Sequence, residues 1–295
     1  MKKFLYISLL LPSFFSCARF GKKAKNSEGP RIVCLSKHLT EMMFAIGKGS
    51  SLAGVDLSST YPDSAKQIPT VGYHRALSAE GIISLQPDLV IHSNDIGPEP
   101  VNDQITRAGL NVKTFGGANT IDSAKLLLKE LGQYFNAGRQ ADSVIELMDS
   151  EITATMGKLQ SMKFTDTPTV MIIHFGRASN IFFVMSGRNG VGDKMIEMAG
   201  GKTAHYEAKG ARQISAEAVA EANPDIIIAT DYGYDQMGSM EKFITGVPGV
   251  ALTNAARNKK IYRFEEHDLV YFGPRTGANI KKLADLIHPA HVQKP

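Results

Sequence analysis

The chain has 295 residues, long enough for two lobes each with its own core, and its 43% hydrophobic and 21% charged residues exclude a disordered chain. The formal charge of +4 falls to +2 once the first 16 residues, which carry Lys2 and Lys3 and no acid, are set aside. That balance is too mild for a nucleic-acid binder.

Met1-Lys2-Lys3 and the apolar run from Phe4 to Phe15 are too short to span a bilayer as a stable helix and read as a signal peptide. The run ends in Ser13-Phe14-Phe15-Ser16-Cys17, which resembles the lipobox of bacterial lipoproteins, with Phe14 where Leu is usual. The resemblance implies that Cys17 is acylated and becomes the mature N-terminus; the alternative is cleavage nearby and release. With Cys17 lipidated, Cys34 has no partner for an intramolecular disulfide and reads as a small core residue. Residues 18–29 are polar, basic and aperiodic, as in a flexible tether. No later apolar run reaches the roughly 18 residues that a membrane span needs.

From Arg31 strands and helices alternate: strand 31–35, helix Thr40 to Ile46 closed by Gly47, strands 52–55 and 89–92, helix 99–108 stopped by Gly109, strand 111–115. This βαβ order predicts a mostly parallel sheet with helices on both faces. Residues 120–162 lack Pro and carry Ala141, Val144, Ile145, Met148, Ile152 and Leu159 at helical spacing, which predicts one helix from about Gly138 to Met162. Such a helix is roughly 37 Å long. Alternation resumes with strands 169–174, 181–185, 225–230 and 260–264, a helix over 192–199 and a last one over 276–287. The expected fold is therefore α/β, with two Rossmann-like lobes, residues 30–135 and 164–295, joined by one long α-helix over 136–163.

One unit appears in both halves. Ser78-Ala79-Glu80 precedes Pro87-Asp88 at the spacing at which Ser215-Ala216-Glu217 precedes Pro224-Asp225, and each Pro-Asp leads into an apolar β-branched strand. In each copy the Ser is expected to cap a helix, with Glu in its first turn beside the positive end of the dipole. The first copy also carries Gly72-Tyr73-His74-Arg75 just upstream.

The lipobox, the strand leading into Thr40-Glu41, the two Ser-Ala-Glu and Pro-Asp units and the long connecting helix resemble the substrate-binding proteins of ABC importers of the helical-backbone class, which deliver cobalamin, siderophores and haem. The resemblance covers about residues 31–288. Gly72-Tyr73-His74-Arg75 running into Leu77-Ser78-Ala79-Glu80-Gly81, with Ser186-Gly187-Arg188 and Gly273-Pro274-Arg275-Thr276-Gly277, is similar to the haem-binding members.

That resemblance implies haem as the transported ligand, Tyr73 as axial ligand to its iron, and delivery to a permease dimer with its ATPase subunits from the periplasm or cell surface. Chemically, a phenolate is a hard anionic ligand, and haem iron is held by Tyr in known cases. Arg75, two residues on, can share a side with Tyr73 in an extended loop and reach the phenolate or a propionate. His174, expected at the carboxyl end of a parallel strand, is a second candidate ligand, with His74 and His38 as rivals. Arg177 and Arg275 are candidate propionate partners. By the same resemblance Glu80 and Glu217, one on each lobe, dock into basic pockets of the permease; the plainer reading is dipole compensation, and the two are compatible.

Two other readings stay open. The same machine can carry a ferric siderophore or cobalamin. A bilobal tetrapyrrole chelatase, an enzyme, needs a His and a carboxylate, for which His174 with Asp231 or Glu266 are candidates, although an export signal argues against it. Gly187-Arg188-Asn189-Gly190-Val191-Gly192-Asp193 has neither a Walker lysine nor a GxGxxG frame and reads as a turn into a helix.

Overall fold

The computed structural model describes residues 29–162, 167–176, 181–185, 190–204 and 212–289. Cys17, the signal peptide, the tether to residue 28, Arg177 and residues 186–189 lie outside the described residues.

The first half runs β1 (Ile32–Cys34), α1 (Lys37–Ala45), β2 (Leu52–Val55), α2 (Ala79–Ser84), β3 (Leu89–His92), α3 (Pro100–Arg107), β4 (Val112–Thr114) and α4 (Ile121–Tyr134). After α5 (Gly138–Ser161) come β5 (Thr169–Gly176), β6 (Ile181–Val184), α6 (Val191–Met198), β7 (Lys202–Thr203), β8 (Arg212–Gln213) and α7 (Ala216–Ala222). The chain continues through β9 (Ile226–Thr230), α8 (Asp231–Met237), α9 (Met240–Gly246), α10 (Asn254–Arg257), β10 (Ile261–Phe264) and α11 (Thr276–Ile287). Among the described residues no helix is long and apolar enough to cross a membrane.

The first sheet has the order β2-β1-β3-β4 and every pair is parallel. In the second, β7-β5-β9-β10 repeats that order and is again parallel. The expected mostly parallel layout is met, and the second sheet adds an antiparallel edge. There β5 runs on to Gly176 and pairs its last four residues antiparallel with β6, which pairs antiparallel with β8.

The repeat seen in the sequence falls on equivalent elements, α2 into β3 and α7 into β9. Its Asp residues also do equivalent work: the Asp88 carboxylate accepts the Arg31 amide at 2.9 Å, and the Asp225 carboxylate accepts the Thr169 amide at 3.0 Å. Each therefore pins the start of its lobe's first strand to the strand beside it. The Ser residues differ. Ser215 Oγ accepts the Ala218 amide at 3.2 Å as expected, whereas Ser78 makes no side-chain cap bond. α1 starts at Lys37 rather than Thr40, and the Oγ of Ser36, its N-cap residue, is taken by Ser93 at 2.7 Å.

Strands buried on both faces read as continuous apolar runs, as in Ile226–Thr230. Val33, Leu35 and Val90 pack against Ile82, Val101 and Ile105 of α2 and α3. Their neighbours Ile32, Cys34 and Ile91 face α1 and α4 in a core that continues through Ile145 and Leu159 of α5 to Val170, Ile172, Ile226 and Ile228 of the second sheet. The long helix, about 36 Å for its 24 residues, is thus part of one core that runs through both lobes. Cys34 is buried within that core, and burial pushes its thiol up to about 12.

Candidate functional site

Open α/β sheets place ligands outside the carboxyl ends of their strands, where neighbouring connections leave in opposite directions. In both sheets that point flanks the first strand, β1 or β5. The two carboxyl ends meet: Lys37 Nζ, just past β1, holds Glu266, just past β10, at 2.8 Å. Burial pushes the Glu266 carboxyl up, but the charge and hydrogen bond of Lys37 outweigh it and hold the group below its ordinary value.

Tyr73 stands on a loop past the carboxyl end of β2. Residues 69–71 extend the first sheet alongside β2, with the Val71 amide donating to Val55 at 3.0 Å and the Val55 amide to Pro69 at 3.0 Å. Gly72 then turns the chain at φ +105°, a conformation open to glycine and strained for a side-chain-bearing residue. The loop is tied down by bonds from Ala76 to the Tyr73 carbonyl (2.7 Å), Gly97 to the His74 carbonyl (2.7 Å) and Leu77 to the Gly97 carbonyl (2.9 Å). On this frame the Tyr73 side chain is 36% exposed and meets the His74 ring edge-on at 4.4 Å. Arg75 is exposed, and no ion pair of it occurs among the described residues.

His74 points the other way, with Nδ1 3.7 Å from Asp56, Nε2 3.7 Å from Asp95 and Ser58 Oγ at 3.4 Å. Burial raises the Asp56 carboxyl, but bonds from His74, Ser58 and Ser59 outweigh it and hold it low. His38 is turned toward the Gly116 carbonyl at 3.4 Å, and burial lowers its pKa.

On the second lobe His174 lies one residue past Ile173, the last of β5 paired with β9, so it sits at the carboxyl end of the parallel part of the sheet. β5 itself continues, and His174 faces Phe183 across the antiparallel pair. Its Nδ1 is 3.1 Å from Thr230 Oγ1. Beside it Phe175 meets Phe182 at 4.8 Å and Tyr232 at 5.9 Å, an aromatic wall that sequence reasoning did not single out. Of the two acids considered for His174, Glu266 lies close enough that the charge of His174 helps to hold its carboxyl low, and Asp231 accepts the Glu266 amide at 3.0 Å.

Arg275 is deep in the junction. Its Nε donates to Glu41 at 2.8 Å, its Nη1 pairs with Asp268 at 2.6 Å, and its guanidinium lies 3.5 Å over the Tyr61 ring. Glu41, 3% exposed, also accepts from Tyr271 Oη at 2.6 Å and meets His267 Nε2 at 2.9 Å. Sequence reasoning passed over Glu41 as a functional group. Its signal was a carboxylate within the apolar run Leu39 to Phe44, which a folded chain tolerates only with partners. Glu80 and Glu217 are both exposed, in the first turns of α2 and α7.

Among known proteins, the chain is similar to the ABC transporter substrate-binding lipoprotein YvrC of Bacillus subtilis, 26% identical over 264 residues that cover 89% of this chain and 81% of YvrC. It is 24% identical to the vitamin B12-binding protein of Vibrio campbellii, covering 81% of this chain and 83% of that one. Of solved structures, the periplasmic heme-binding protein RhuT of Roseiflexus sp. RS-1 superposes with a TM-score of 0.80 at 32% identity, over 88% of this chain and 98% of RhuT. The model of the family described as periplasmic binding protein matches residues 32–267, and the chain belongs to that family.

Proposed function

We propose that this chain is the substrate-binding lipoprotein of an ABC importer and that it captures haem between its lobes outside the cytoplasm. The observation that carries the reading is Tyr73: an exposed phenol on a loop turned by Gly72 beyond the carboxyl end of β2, with the exposed Arg75 two residues on. The donor set fits haem. Tyr73 supplies the axial oxygen to ferric iron, Arg75 a cation for the phenolate or a propionate, and His174 a second imidazole ligand from the facing lobe. Phe175 and Tyr232 offer apolar surface to a porphyrin face. Arg177 is a further propionate partner in this scheme. RhuT, whose name describes a heme-binding protein, shares the fold at 32% identity and supports the choice.

Capture makes and breaks no bond in the ligand. Glu80 and Glu217, at equivalent places on the two lobes, serve as the docking points for the permease, and Cys17 carries the lipid. The lipoprotein YvrC supports the anchor. Cobalamin is the second reading, favoured by the vitamin B12-binding relative.

A hemin titration followed by absorbance, on the full chain and on Tyr73→Phe, tests the proposal. The expected outcome is a saturable Soret shift with a high-spin ferric tyrosinate band, lost or altered in the variant. No saturable change in the native chain, with saturable binding of cyanocobalamin instead, would select the second reading.

A further inference from the structure

We infer that Arg275 is a positioning residue, which couples the junction of the two lobes to the loop that carries Tyr73. It belongs to the second lobe, yet two of its three contacts are with the first. Glu41 of α1 takes its Nε at 2.8 Å and its Nη2 at 3.3 Å, Tyr61 lies under its π-face at 3.5 Å, and Asp268 of its own lobe forms an ion pair with Nη1 at 2.6 Å. The guanidinium is thereby used on its fork and on a face. A propionate arriving here would meet the carboxylates of Glu41 and Asp268, so the geometry points away from ligand clamping and toward holding the lobes.

Tyr61 links this clamp to the ligand loop. It follows closely on Leu57, whose amide donates to the Gly72 carbonyl at 2.8 Å, and the same segment begins at Val55, which exchanges bonds with Pro69 and Val71. The segment 55–61 and the segment 69–73 are therefore hydrogen-bonded neighbours. A movement of the second lobe that carries Arg275 drags on the Tyr61 ring, and through that pairing on the residue after Gly72, which is Tyr73. The reverse path carries a pull on Tyr73 to the lobe junction. Glu41 anchors the other end firmly, since Tyr271 and His267 hold the same carboxylate.

The functional half of this inference rests on the haem reading, and the test separates the two. Hydrogen exchange is measured on the ligand-free full chain, native, Arg275→Gln and Tyr61→Leu, and release of hemin is timed on the same proteins. The coupling predicts about tenfold faster exchange in residues 57–61 and 71–77 in both variants, with little change in β3 or β9. It also predicts hemin release faster by about tenfold, with the tyrosinate band kept because Tyr73 still ligates. Tyr61→Phe keeps the ring and is expected to match native exchange.

Unchanged exchange over 57–77 in the variants overturns the inference, as does faster exchange spread evenly through the chain. If Arg275→Gln does not fold, Tyr61→Leu decides alone, since it leaves Arg275 with Glu41 and Asp268. If native protein takes up no hemin, the haem reading fails while the exchange arm still decides the coupling.

Discussion

Glu41 shows how much one buried carboxylate depends on its neighbours. Burial alone pushes its carboxyl up, but hydrogen bonds from His267 and Arg275 and the charge of Arg275 win, taking it from 4.5 down to about 2. Asp268, gripped by the same guanidinium, goes the other way, because burial outweighs the attraction of Arg275 and raises it. Glu41→Gln is therefore expected to destabilise the protein by roughly 3–5 kcal/mol at pH 7, as for a broken buried ion pair, and Asp268→Asn by less. Urea unfolding of both variants checks the order. A carboxyl depressed in the folded state stabilises above its ordinary value and loses that contribution as it protonates. The gap between native and Glu41→Gln should accordingly be full above about pH 4.5 and close as pH falls toward 2. A gap that stays constant over that range would place the stabilisation elsewhere.

At the scale of elements, close approach sets what is tolerated. α11 lies so near α5 that a Cβ on Gly277 would sit 2.3 Å from Glu151 Cβ and 3.0 Å from the Ile152 amide nitrogen, and Glu151 also accepts the Ala278 amide at 3.1 Å. Gly277→Ala must push the two helices apart, with an expected loss of about 1–3 kcal/mol measurable as a lower thermal midpoint. The paired elements α2 and α7 lead to a functional expectation. Charge reversal at both Glu80 and Glu217, each exposed, should abolish delivery to the permease and leave hemin affinity within about twofold, since exposed charges far from a ligand change its binding little. Transport into proteoliposomes, read beside a solution titration, separates delivery from capture, and loss of both together would count against docking.

For the whole molecule, α5 matters less as a strut than as part of the core. Because Ile145 and Leu159 share one cluster with residues of both sheets, opening the lobes widely means breaking apolar packing as well as the Lys37–Glu266 and Glu41–Arg275 pairs. Small-angle scattering with and without hemin should show a change of under about 1 Å on a radius of gyration of about 18 Å for the folded part. A larger compaction would mean that the junction gives way on binding.

Local pattern alone carried the α/β class, the 24-residue helix and the repeated unit, because periodicity and turn residues act over a few positions and each copy of the unit builds an equivalent element. It also marked Tyr73, since Gly72 and the repeat downstream place a phenol on a loop whatever the rest of the chain does. The antiparallel edge of the second sheet was not legible, because β6 and β8 are chosen by partners distant in sequence. Nor were the contacts of Arg275, whose partner Glu41 lies some 234 positions away and whose guanidinium lies over Tyr61. A guanidinium on a loop has the same local sequence whether it waits for a ligand or joins two lobes. Only the packing of one lobe on the other brings up the carboxylates and the ring that it meets in the folded chain.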